Sequence, residues 1–104
     1  MSMLFGNKAD INAGIKEFES TPGAVLYDVR EADEFAAGHI PGAVNVPLSG
    51  LAAADLPEQK DLPLYVHCLS GARSSKAVKY LQMQGYTNVK NIGGINAYKG
   101  PIEK

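Results

Sequence analysis

The sequence predicts an α/β domain, a mainly parallel sheet with helices on both faces. Three observations carry that expectation. Short apolar runs of strand length alternate with segments whose apolar residues recur at helical spacing. Pro and Gly pairs punctuate the joints between them. The chain has 104 residues, 45% of them hydrophobic and 20% charged, which suits one ordinary globular domain over residues 1–104 with a single core.

Asp10 is placed to cap a first helix that carries Ile11, Ile15 and Phe18 on one side. Thr21-Pro22-Gly23 stops it. Residues 24–27 read as a buried strand running into Asp28-Val29-Arg30. Residues 31–37 form a short helix ended by Gly38. At the start of that helix Arg30 and Glu34, four apart, are expected to pair. Ile40-Pro41-Gly42 turns the chain into a second strand, 43–46, which Pro47 stops. A short helix over 48–54 and a polar connection, 57–61, lead to a third strand at 64–68. A helix over 74–84 follows, with Ala77, Val78 and Leu81 on one face and Gly85 as its stop. Residues 87–92 make a last strand, Gly93-Gly94 breaks the chain, and 95–99 is helix-like.

Several classes are disfavoured. No apolar run approaches the roughly 20 residues of a membrane span. Residues 1–6 lack the basic-then-apolar order of a signal peptide, and the one cysteine cannot form an internal disulfide. The lone cysteine points to a reducing cytoplasm. Net charge is −1 but uneven. Four Lys/Arg stand against ten Asp/Glu before His67, and six against one from Cys68 onward. The second half is either a solvated basic face or a field that draws a small anion. Its cations are too sparse and too little interleaved with aromatics for nucleic acid.

Chemistry concentrates where the third strand ends. Leu64-Tyr65-Val66-His67-Cys68 is followed by Leu69-Ser70-Gly71-Ala72-Arg73-Ser74, small and polar residues that open a helix. In parallel α/β sheets, ligands bind beyond the carboxyl ends of strands. A loop entering a helix there turns backbone N–H groups and the helix's positive end on the sulfur, with Arg73 as a nearby cation. Cys68 is therefore the candidate nucleophile, with its thiol pKa lowered. Leu69, Ser70, Gly71, Ala72, Arg73 and Ser74 form the candidate substrate cradle, with Ser74 read first as the helix N-cap. The alternative for Cys68 is a small buried hydrophobe. Strand alternation points His67 away from the thiol, so it reads as a packed neighbour rather than a base. His39 reads as a turn residue, and Asp28 as an anchor for the loop after its strand. Neither histidine has a second ligand at useful spacing, so no metal and no cofactor are expected.

The sequence resembles the rhodanese family of sulfurtransferases over nearly its whole length. The likeness lies in Asp28-Val29-Arg30, Glu34-Phe35, Gly38-His39-Ile40-Pro41-Gly42-Ala43 and Asn45-Val46-Pro47. It continues in Cys68 through Arg73-Ser74, Gly85-Tyr86 and Ile92-Gly93-Gly94. The resemblance implies a rhodanese-like fold with a central five-stranded parallel sheet in a stand-alone domain. It implies that Cys68 takes a sulfane sulfur from a small anionic donor such as thiosulfate, and that cyanide, a thiol or an acceptor protein collects it. The cradle amides map onto Leu69, Ser70, Gly71, Ala72 and Arg73. Leu69 stands where many thiosulfate-using members carry a basic or polar residue, which leaves the natural donor open. Tyr98 stands where a tryptophan is common, a change of packing rather than chemistry.

Two other functions compete. A persulfide carrier or regulatory module acting on a partner protein would keep the same loop. A cysteine phosphatase or arsenate reductase uses a similar loop, with five residues between Cys and Arg. Here four intervene, Leu69, Ser70, Gly71 and Ala72, and none is a general-acid aspartate.

Overall fold

The computed structural model describes residues 9–104; the reading made on residues 1–6 lies outside the described residues. Four strands, β1 (Val25–Asp28), β2 (Ala43–Asn45), β3 (Leu64–Cys68) and β4 (Val89–Gly94), form one sheet in the order β2-β1-β3-β4. Every neighbouring pair is parallel. The helices are α1 (Ile11–Glu19), α2 (Ala32–Ala37) and α3 (Ala72–Met83), with 3-10 turns at Leu48–Ala53 and Ile95–Ala97.

The five strands implied by the resemblance are corrected to four among the described residues. Beyond β4 the chain enters the second 3-10 turn and runs exposed past Pro101, which has no N–H to give a ladder. The tail makes only a single antiparallel bridge, Glu103 with His39.

β3 is buried along its whole length, and its alternation sorts the core into two layers. Leu64, Val66 and Cys68 join Tyr27, Val29, Ala77 and Leu81 on the α3 face. Tyr65 joins Ile11, Ile15, Leu26 and Ile92 on the α1 face. Helices thus cover both faces, as the sequence predicts. α1 starts where Asp10 Oδ1 accepts the N–H groups of Asn12 (3.0 Å) and Ala13 (3.4 Å).

Two boundaries depart from expectation, and both shape the site. α3 begins at Ala72, with Gly71 as its N-cap at φ +103°, a left-handed turn that suits glycine. Ser74 is therefore not the cap; it lies buried in the first turn. β4 continues through Gly93 and Gly94 instead of breaking before them. A bulge makes this possible. Val66 pairs with Asn91, but His67 pairs with Gly93, so Ile92 is one residue extra on β4.

Candidate functional site

β3 delivers Cys68 to the carboxyl edge of the sheet, and the chain folds back over its own sulfur. The Gly71 N–H donates to Cys68 Sγ at 3.0 Å, and the Ser74 hydroxyl lies 3.4 Å from it. Burial pushes the Cys68 thiol up. The Ser74 hydroxyl and the N–H groups of Ser74, Gly71 and Ser70 together outweigh that, leaving its pKa below the ordinary thiol value. The residue is 1% exposed, while Leu69, at 44%, stands open on the outer side of the loop.

The loop is held from behind by β4 and the residues after it. The Leu69 carbonyl accepts the Asn96 N–H at 3.1 Å, and the Gly71 carbonyl accepts Asn91 Nδ2 at 3.2 Å and the Ser75 N–H at 3.1 Å. Gly94 makes the approach possible. A Cβ there would fall 2.5 Å from Ser70 Cα and closer still to the Leu69 carbonyl oxygen.

Of the residues expected in the cradle, Ser70, Gly71 and Ser74 turn donors on the sulfur. Leu69 and Ala72 present exposed side chains. Arg73 differs from expectation. Its guanidinium is taken up by Glu34 of α2, Nη1 to Oε1 at 2.7 Å and Nη2 to Oε2 at 3.0 Å. That fork holds the Glu34 carboxyl well below its usual range, at about 2, helped by the Glu31 backbone.

The expected Arg30–Glu34 pair is corrected by the same contact. Arg30 precedes the Glu31 N-cap, so helical i,i+4 spacing does not apply to it. It pairs instead with Asp28, Nε to both carboxylate oxygens at 3.0 Å and Nη2 to Oδ2 at 2.7 Å. Both side chains are buried. The Arg30 N–H also donates to Asp28 Oδ1 at 3.0 Å, so Asp28 does anchor the segment after β1.

His67 lies opposite the thiol, as alternation predicts. Its Nδ1 is 3.0 Å from the Cys68 carbonyl oxygen, and its Nε2 is 3.7 Å from Asp28 Oδ2 with no hydrogen-bond partner. Burial pushes its pKa down, and the Asp28 charge only partly offsets this. His39 stacks on Phe35 with centroids 3.9 Å apart, and its Nδ1 is 2.9 Å from the Phe35 carbonyl oxygen.

Asn91 is the residue that sequence reasoning missed. Ser74 Oγ donates to its Oδ1 at 2.8 Å. An asparagine inside a strand run, where asparagine is depleted, was the available signal. Among the described residues no group of three His, Cys, Asp or Glu side chains is placed to hold a metal ion. No helix among them is long and apolar enough to cross a membrane. A groove of about 370 Å³ between α1 and residues 98–101, walled by Ile15, Tyr98 and Pro101, includes no residue of the cysteine loop.

Residues 12–101 match the family described as Rhodanese-like domain. The chain is 37% identical over 95 residues to a protein named Sulfurtransferase from Allochromatium vinosum, covering 88% of this chain and 87% of that one. It is 41% identical over 81 residues to Uncharacterized protein YqhL of Bacillus subtilis; the match covers 77% of this chain and 64% of YqhL, less than two thirds of its length. Among solved structures, the human single-domain sulfurtransferase TSTD1 superposes with a TM-score of 0.71 at 31% identity, covering 82% of this chain and 88% of that one.

Proposed function

The chain belongs to the rhodanese-like domain family, and from that premise we propose that it moves a sulfane sulfur through a persulfide on Cys68. One observation carries this reading: a single sulfur, otherwise buried, faces the Gly71 N–H at 3.0 Å and the Ser74 hydroxyl at 3.4 Å. Such donors favour the thiolate, which is the attacking form. They also stabilise negative charge on an atom bonded to that sulfur.

With thiosulfate as donor, the Cys68 thiolate attacks the outer sulfur. A new S–S bond forms, the bond to the sulfonate sulfur breaks, and its electron pair leaves with sulfite. The persulfide carries one negative charge on its terminal sulfur. Cyanide or a thiolate then attacks that sulfur, and the pair of the S–S bond returns to Cys68 Sγ. Thiocyanate or an acceptor persulfide departs, and the starting thiolate is restored. Splitting the transfer in two is covalent catalysis of the ping-pong kind. A phosphatase-like reading is not favoured, because only four residues separate Cys68 from Arg73 and none of them is a general-acid aspartate.

The test is intact mass before and after thiosulfate, with cyanide added afterwards. The expected result is a gain of one sulfur atom that cyanide removes as thiocyanate, and no gain in Cys68→Ser. No gain in the wild-type chain, or an equal gain in Cys68→Ser, overturns the proposal. Phosphate release from an aryl phosphate without sulfur uptake also overturns it.

A further inference from the structure

Ser74 has one hydroxyl proton and three acceptors in reach: Asn91 Oδ1 at 2.8 Å, the Gly71 carbonyl at 3.1 Å and Cys68 Sγ at 3.4 Å. The other partners of the Asn91 amide fix which way it points. The Gly93 N–H, a donor only, lies 2.9 Å from Oδ1, and the Gly71 carbonyl, an acceptor only, lies 3.2 Å from Nδ2. A flipped amide would set donor against donor and acceptor against acceptor. Oδ1 therefore faces Ser74, whose hydroxyl donates to it at 2.8 Å in preference to the sulfur at 3.4 Å while the thiol is neutral. A neutral thiol is content with that, because its S–H donates weakly to Ser74 Oγ. A thiolate needs donors, and a hydrogen bond to an ionised acceptor is stronger than one to a neutral amide.

We infer that Asn91 is a positioning residue: it holds the Ser74 hydroxyl proton while Cys68 is a neutral thiol and yields it to Sγ when the sulfur ionises. Strand alternation supports this, because Ile92 turns into the α1 layer while Asn91, one residue earlier, reaches the loop and Ser74. The meaning of the device for turnover rests on the reading of Cys68 as the sulfur acceptor. Asn91 opposes ionisation in the resting state and gives way once charge is present.

The other charged groups around Cys68 are accounted for. Arg73 of α3 is tied to Glu34 of α2. From β1 comes the mutually bonded pair Asp28 and Arg30, and on β3 itself His67 turns towards Asp28. From β4, Lys90 pairs with Glu17 of α1.

The experiment titrates the Cys68 thiol of the full chain by thiolate ultraviolet absorbance and by alkylation rate against pH, with no sulfur donor present. Ser74→Ala is expected to raise the midpoint by about half a pH unit to one unit. Asn91→Leu is expected to lower it by a similar amount, because the hydroxyl is freed for the sulfur, and to move nothing in a Ser74→Ala background. A rise in Asn91→Leu, or the same shift with and without Ser74, overturns the inference and leaves Asn91 as a brace for the loop. If Asn91→Leu does not fold, Asn91→Asp serves. Its upward shift must shrink when Ser74 is also removed, and a shift of unchanged size overturns the inference. A chain that titrates as expected but gains no sulfur from thiosulfate sinks the sulfur-transfer reading alone.

Discussion

Arg73 and Glu34 meet in a two-pronged contact, 2.7 and 3.0 Å, that ties the first turn of α3 to α2 across 39 positions of sequence. The arginine of the cysteine loop is thereby a strut between two helices, and the donors that face Cys68 Sγ are the Gly71 N–H and the Ser74 hydroxyl.

Removing the strut should cost little stability, because both side chains are about a third exposed. Glu34→Gln is expected to lose about 0.5–1 kcal/mol at neutral pH by urea denaturation. The Glu34 pKa is depressed in the folded state, from 4.5 to about 2. Its contribution is therefore complete above about pH 4.5 and lost as pH falls through 2. The gap between wild type and variant should close over that window. A gap that stays constant would show that charge plays no part in it.

Asp28→Asn is the opposite case, since it leaves the buried Arg30 guanidinium without its counter-charge. A loss of about 3–5 kcal/mol is expected in equilibrium unfolding. A loss below about 1 kcal/mol would mean that water reaches Arg30 and that the pair is not truly buried.

His67 should make stability fall on acidification. Burial lowers its folded-state pKa below the ordinary 6.5, so the folded protein binds a proton less readily than the unfolded chain. The stability held by the neutral imidazole is full above pH 6.5 and drains away as pH drops below that value, through the folded pKa. The slope from this one group is at most about 1.4 kcal/mol per pH unit. His67→Gln should flatten the curve of unfolding free energy between neutral pH and pH 5 (roughly the lower end of the range in which histidine titrates); an unchanged curve would assign the slope to other groups.

Gly94→Ala drives a Cβ into the backbone of Ser70 and Leu69. It is expected to cost about 1–3 kcal/mol and to slow alkylation of Cys68, because the loop must move to make room. Gly50→Ala, with no atom within 4 Å of the added Cβ, is the control, expected within about 0.5 kcal/mol of wild type. Equal behaviour of the two variants would show that the loop does not rest on Gly94.

Local pattern made some of this legible in advance. The run from Leu64 to Cys68 reads as a strand, and its alternation correctly sets Cys68 and His67 on opposite faces. The small residues after it read as a loop entering a helix. What stayed hidden depends on partners far apart in sequence. No spacing rule joins Arg73 to Glu34 or Ser74 to Asn91, because those contacts arise only once α2 and β4 have packed beside the loop. Gly93-Gly94 looked like punctuation because glycine usually ends a strand pattern. In this fold the pair continues β4 so that one backbone can pass tightly under another.

The supernumerary Ile92 gives β4 two phases. Up to Asn91 the strand keeps step with β3 in one parity, and from Gly93 onward in the other. Losing Ile92 would leave a single phase, with Gly93 and Gly94 still opposite His67 and Cys68, and would take from the α1 layer the isoleucine that the extra position carries. Side chains on this strand are constrained where Asn91 meets Ser74 and where Gly94 passes Ser70, and the surplus residue serves the opposite layer.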